Sequence, residues 1–200
     1  LARMEDLLKG EDGFYERIFG DLGLPHRPVR WEMDTAPGLG GPTGSREEVE
    51  SWGVTTRQVE LGTDQFGDLP QDFTVLLHLA AYISPGNDYE SAIRVNAEGT
   101  GLLLSHCRSA KKAMVMTTSS VYAPNPDGMH LYKEDDPVGE GGLPRMQTYG
   151  ISKLVKEGVA RACARLFGLP VVIARMNSAY GDNGGLPSHH LATLLKGETI

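Results

Sequence analysis

The 200-residue sequence has no apolar run long enough to cross a bilayer. Its longest, from Val75 to Ile83, is interrupted by His78, whereas a spanning helix needs about 20 apolar residues. Cysteine is nearly absent. Cys107 and Cys163 have neither metal-type spacing nor the density of a disulfide-stapled secreted domain, so they read as reduced packing residues of a cytoplasmic protein. Positive charge is outnumbered, with Lys+Arg 19 against Asp+Glu 26 and a net charge of −7. With no basic run, that balance excludes a nucleic-acid backbone or an anionic membrane surface as partner. The adjacent pair His189-His190 points to different faces of a helix, a poor metal pair, and no metal is expected. No charged-then-apolar leader of signal-peptide type is present, and no initiating Met precedes Leu1-Ala2-Arg3,.

What is present is ordinary for a globular chain: 40% hydrophobic and 22% charged residues, enough for one domain with a sizeable core. Glu5 to Phe19 reads as a helix weakened by Gly10 and Gly13. Residues 21–53 are rich in Gly and Pro, with Arg30-Trp31-Glu32-Met33 as a strand-like piece and a short charged helix from Arg46 to Trp52. Gly38-Leu39-Gly40-Gly41-Pro42-Thr43-Gly44 is not a dinucleotide loop. No hydrophobic strand precedes it, Pro42 lacks an N–H, and the following helix has no apolar face. Val54 to Leu61 alternates loosely and predicts a strand. Val75-Leu76-Leu77-His78-Leu79-Ala80-Ala81 predicts a buried strand ending in small residues, where a backbone can approach a ligand. His78 within it reads as a satisfied core residue. A helix is expected from Asp88 to Cys107, buried strands at Ala113 to Met116 and Val171 to Arg175, and a helix from Leu186 to Lys196.

The chemistry concentrates between Thr117 and Lys153. Thr117-Thr118-Ser119-Ser120-Val121-Tyr122 follows a strand, and Tyr149-Gly150-Ile151-Ser152-Lys153 opens a helix whose apolar face is assigned to Leu154, Val155, Val159, Cys163 and Leu166. Gly168 and Pro170 end that helix. Tyr149 and Lys153, four apart, lie one above the other. A phenol with pKa about 10 is a poor acid or base at neutral pH. A neighbouring ammonium favours the phenolate, and placed against a hydroxyl from the strand end the tyrosine can give or take a proton at a carbon–oxygen centre.

These segments together resemble the extended short-chain dehydrogenase/reductase family, in its NAD-dependent epimerase/dehydratase branch. The Val75–Ala81 stretch is similar to the family's D-V-V-I-H-L-A-A, with Thr74 in place of Asp and Ile83 where a lysine often follows. Asn96-Ala97-Glu98-Gly99-Thr100 resembles N-x-x-G-T. Lys133-Glu134-Asp135-Asp136-Pro137 matches the acidic-then-Pro loop before the tyrosine. Arg175-Met176-Asn177-Ser178-Ala179-Tyr180-Gly181 resembles R-P-x-N-V-Y-G.

The resemblance implies an α/β, Rossmann-like doubly wound parallel sheet with helices on both faces. Residues 1–200 would form a single, incomplete NAD(P)-binding domain with a loop-rich insertion at 21–53. The first Gly-rich loop and the C-terminal substrate lobe have no counterpart, so the chain is expected to be an interior portion of a longer protein. It implies Thr118, Tyr149 and Lys153 as catalytic residues. Asp64, Leu79, Ala80, Ala81, Asn96, Thr117 and Met176 would join Tyr149 and Lys153 in holding NAD or NADP. Ser119, Ser120, Asn177 and Ser178 would face the substrate, a small molecule such as a nucleotide-sugar. A homodimer is compatible with the family. Arg3, if it ends a strand, would favour a 2′-phosphate; it reads equally as a surface residue. The implied activity is epimerisation or reduction, because sugar dehydratases carry Asp-Glu where Ser119-Ser120 stand. A thioester or carbonyl reductase and a non-catalytic Rossmann-like module are the alternatives.

Overall fold

The computed structural model describes residues 46–51, 53–63, 66–67, 69–83, 88–139, 147–177, 180–181 and 184–197. The expectations for residues 1–45, together with Asp64 and Ser178, lie outside them. Helix α1 (Arg46–Ser51) is the short charged helix expected. Three parallel strands form the sheet, β1 (Val75–His78), β2 (Lys112–Thr118) and β3 (Val171–Met176), in spatial order β1-β2-β3. Val115 pairs with His78 on one side and with Ile173 on the other. A small hairpin, β4 (Tyr180–Gly181) with β5 (Gly184–Gly185), and helix α5 (Leu186–Leu195) follow.

Parallel neighbours need crossovers, and helices supply them. Between β1 and β2 the chain runs through α2 (Tyr89–Ile93), a π-helical turn (Arg94–Glu98) and α3 (Gly99–His106). Asp88 caps this run by accepting from the Ser91 amide at 3.0 Å, a use of a free N–H that suits Asp at this position. Between β2 and β3 runs α4 (Gln147–Phe167), ended by Gly168 at φ +64, as a left-handed helix terminus requires. The α4 helix packs on β2, β3 and the α2–α3 run. The parallel sheet with flanking helices agrees with the expected class.

Alternation along the strands sorts the two faces. Ala113, Val115 and Thr117 of β2 are buried toward the helices, where Leu104, Ala160, Cys163 and Leu169 complete the core. On the opposite face Leu77 and Val172 are exposed. A second cluster joins Phe66, Leu103 and Cys107 with Val59, Leu61, Leu69 and Phe73. Both cysteines are free and buried.

Two expectations need correction. Residues 54–60 form no strand: Val59 and Leu61 reach the second cluster, but Val54 is exposed and the segment pairs with no described strand. The buried face of α4 is also rotated from the one assigned. Val155 and Leu166 are exposed, whereas Ser152, Lys153, Lys156, Glu157, Ala160 and Cys163 are buried. Hydrogen-bond partners for Ser152, Lys156 and Glu157 explain the choice. At Gly101 an added Cβ would meet Val159 Cγ1 at 2.9 Å, so the Val159 side chain packs directly on the backbone of α3, and the absence of a side chain at Gly101 sets how near the two helices lie.

Candidate active site

The carboxyl ends of β1, β2 and β3 bring the expected residues to one edge of the sheet, where open α/β folds bind ligands. Leu79, Ala80 and Ala81 leave β1 exposed, and Met176 ends β3 exposed and in register with Thr118. A backbone open at small residues fits close approach by a dinucleotide. Thr118 is extended (φ −143, ψ 151) and caps the 3-10 turn Ser119–Val121, its hydroxyl accepting from the Ser120 amide at 3.2 Å. Ser119 donates to Asn177 Oδ1 at 3.4 Å, so two of the expected substrate contacts lie together; Ser120 sits beside Thr118 at 3.3 Å.

Tyr149, in the first turn of α4, has the Thr118 hydroxyl near enough to act against the rise of its pKa. Lys153 places its ammonium 5.4 Å from the centre of the Tyr149 ring. The three catalytic candidates therefore meet. One expectation about them is overturned: burial raises the Tyr149 pKa, and the opposing influence is the Thr118 hydroxyl rather than Lys153. The reason lies in Lys153 itself, whose own pKa burial lowers to about 8. By the pH at which the phenol would ionise, Lys153 has already given up its proton.

Beneath the triad are residues that the sequence reading passed over. Lys156 is fully buried and donates to the Ala80 carbonyl at 3.2 Å. Burial, then the neighbouring Lys153, lowers its pKa to about 7. Glu157 is buried and receives both Nε (2.9 Å) and Nη2 (2.8 Å) of Arg175. This two-pronged pairing raises the pKa of Arg175,. Arg175 is held further by the Glu134 carbonyl at 3.1 Å and by the Tyr122 ring at 4.8 Å. The i+3 and i+4 spacing of Lys156 and Glu157 from Lys153 was the available signal.

Two cofactor-contact candidates are committed to protein. The Thr117 hydroxyl donates to Glu157 at 2.9 Å, which leaves its main chain for a ligand. Asn96, buried within the π turn, accepts from the Tyr82 amide (2.7 Å) and donates to the Tyr82 carbonyl and to Ser152 Oγ (both 2.9 Å). Ser152 in turn donates to the Tyr149 carbonyl at 3.0 Å. Asn96 thus positions the loop after β1 and the first turn of α4. The rest of its motif is equally structural. At Gly99 a Cβ would lie 2.6 Å from the Gly62 amide. Thr100 bonds the Asn96 carbonyl at 2.6 Å and His78 Nε2 at 2.7 Å. His78, buried and beside two lysines, has its pKa lowered to about 3 and is a neutral core residue as read.

Comparison with known proteins accords with this arrangement. Residues 46–197 match the profile of the NAD dependent epimerase/dehydratase family. The chain is 29% identical over 126 residues to the uncharacterized UDP-glucose epimerase YtcB of Bacillus subtilis, covering 60% of this chain and 37% of that protein. It is also 29% identical over 121 residues to dTDP-D-glucose 4,6-dehydratase of Dictyostelium discoideum, covering 54% of this chain and 27% of that protein. A solved structure of UDP-glucuronic acid 4-epimerase from Bacillus cereus in complex with NAD superposes with a TM-score of 0.52 at 26% identity. That superposition covers 64% of this chain and 40% of the other. The chain spans less than half the length of each of these relatives. With its parallel sheet, its Thr118–Tyr149–Lys153 cluster and a match across residues 46–197, the chain belongs to the NAD-dependent epimerase/dehydratase family.

Proposed function

We propose that the protein is an NAD(P)-dependent epimerase or reductase acting on the hydroxyl-bearing carbon of a nucleotide-linked sugar. The observation that carries this reading is the meeting of Tyr149 with Thr118 and Lys153 at the open carboxyl edge of the sheet. The nicotinamide, when bound, supplies the hydride acceptor and donor; this chain's residues supply the proton chemistry and the positioning. Leu79, Ala80, Ala81 and Met176 offer the exposed edge against which the cofactor would lie.

Tyr149 moves the hydroxyl proton. As a half-buried phenol it is set to donate to a substrate oxygen, and in the reverse direction its phenolate takes the proton back,. Thr118, held in place by the Ser120 amide, orients that same oxygen. Lys153, beside the phenol ring, would hold the cofactor's ribose. Ser119 and Ser120 bring hydroxyls rather than carboxylates to the substrate side of Thr118, which supports epimerisation or reduction over loss of water. Related proteins that act on UDP- or dTDP-linked sugars support a nucleotide-sugar as the substrate class. A small-molecule partner of this kind and NAD or NADP are the ligands to test.

The test is turnover of UDP- and dTDP-hexoses with NAD and NADP by the protein and by Tyr149→Phe. General acid–base groups contribute about 10²- to 10⁴-fold, and a loss of that size with unchanged thermal stability is expected. Retained turnover in Tyr149→Phe defeats the assignment. Reduction of carrier-bound thioesters in place of sugar turnover would favour the alternative reductase reading.

A further inference from the structure

The stretch from Thr118 to Val121 carries the hydroxyls of the substrate side, and both its ends are tied to one buried ion pair. Before it, the Thr117 hydroxyl donates to Glu157 Oε1 at 2.9 Å. After it, the Tyr122 amide closes the turn on the Ser119 carbonyl at 3.1 Å, and the guanidinium carbon of Arg175 lies 4.8 Å from the centre of the Tyr122 ring. Arg175 stands opposite Thr117 in the β2–β3 register. It binds Glu157 through Nε at 2.9 Å and Nη2 at 2.8 Å. Its remaining arm, Nη1, donates to the Glu134 carbonyl at 3.1 Å, within a loop whose neck is closed by the Tyr122–Val138 bridge and the Ala123–Pro137 hydrogen bond. Just past Arg175 on the same chain, Asn177 accepts from Ser119.

Stability alone does not account for such a pair. Taking two charges out of water costs about what their attraction returns, and apolar residues of equal volume serve a core as well. A guanidinium offers what they lack, N–H groups in a fixed planar fork and a flat face that stacks on an aromatic ring. Here fork and face together reach α4, the loop at Glu134 and the end of the hydroxyl turn. We propose that Arg175, seated on Glu157, is the positioning residue for this turn, setting where Thr118, Ser119 and Ser120 stand before the substrate. This rests on the proposed role of those hydroxyls at a sugar and goes one layer deeper, to what fixes their place. Glu157 lies one helical turn beyond Lys153, so the pair also sets the hydroxyls against the helix that carries Tyr149 and Lys153.

The experiment joins hydrogen exchange, read by mass spectrometry without ligand, to turnover of UDP- and dTDP-hexoses in the parent, Arg175→Lys, Tyr122→Leu and Tyr122→Phe. Lysine keeps a charge beside Glu157 but has no fork. Leucine removes the ring and leaves the Arg175–Glu157 pair whole, whereas phenylalanine keeps the ring. In Arg175→Lys and Tyr122→Leu, exchange across residues 117–123 should quicken about tenfold, the scale of a half-buried cation–π contact, while α3 keeps its parental rate. Their kcat should fall about 10- to 100-fold, as for misplaced reacting groups. Affinity for NADH or NADPH, followed by nicotinamide fluorescence, should not move, and Tyr122→Phe should stay near the parent throughout. Parental exchange in the turn of both variants, an equal quickening in α3, or a parental kcat beside a loosened turn would overturn the proposal. A parent with no hexose turnover defeats the sugar reading, and the exchange rates then decide for or against Arg175 by themselves. Should Arg175→Lys fail to fold, the two Tyr122 variants decide.

Discussion

At the residue scale, the site is a set of buried polar groups that satisfy one another. Among the described residues no buried side-chain nitrogen or oxygen lacks a partner, which is what burial of so many charges demands. Glu157 is the centre of one such set, joining Thr117, Arg175 and, through Arg175, Glu134 and Tyr122. Removing one member of a buried pair leaves the other charge uncompensated and costs about 3–5 kcal/mol. Glu157→Gln is therefore expected to lower stability by about 3 kcal/mol in urea unfolding, with the loss falling on the β2–β3 end of the sheet. A change below about 0.5 kcal/mol would place Glu157 with ordinary surface residues. The places of Tyr149, Lys153 and Thr118 near one sheet edge were legible because residue type and spacing point there. Those of Lys156 and Glu157 were not: charges on a helix ordinarily mark its wet side, and here they mark the dry one.

At the scale of elements, glycines decide how the layers meet. Gly99 lies against the turn at Leu61 and Gly62, so a methyl group there has backbone, not a flexible side chain, in its way. Gly158 of α4 faces open space. Gly99→Ala should destabilise the fold by about 1–3 kcal/mol through overpacking. Gly158→Ala should stabilise it by about 0.5–1 kcal/mol by removing glycine's freedom in the unfolded chain. Thermal unfolding of the two variants checks the contrast; equal effects would remove the close approach as its cause. The three strands and the long helices were legible from period and punctuation. The strand expected at 54–61 was not realised because a strand is a pairing rather than a propensity. The phase of α4 was missed for a related reason: its dry side carries Ser152, Lys153, Lys156 and Glu157, buried among hydrogen-bond partners, so apolarity misreports which side is buried.

For the whole molecule, pH is the clearest handle on the buried bases. Lys153 and Lys156 have folded pKa values of about 8 and about 7 against an ordinary value of 10.5. Between those limits the unfolded chain binds more protons, so stability rises with pH. His78, at about 3 against 6.5, acts likewise across the acid range, where stability falls as pH drops. Burial raises the Cys107 and Cys163 thiols above 9.0, and they oppose the trend once free thiols begin to ionise. The window from pH 7 to 9 should then show stability increasing with pH, measured by urea midpoints. A flat or falling profile there would mean that both lysines stay charged when folded. Lys156→Met should reduce the slope.

Asn96 bridges Tyr82, just beyond the strand end that would meet a cofactor, and Ser152, which bonds the carbonyl of Tyr149. One amide thus spans both lips of the cleft, set in a turn of helix wound wider than its neighbours. Whatever presses on the loop after β1 reaches the main chain of Tyr149 through two side chains, Asn96 and Ser152. A ligand settling against that loop would find the strand end and the start of α4 already held in one arrangement.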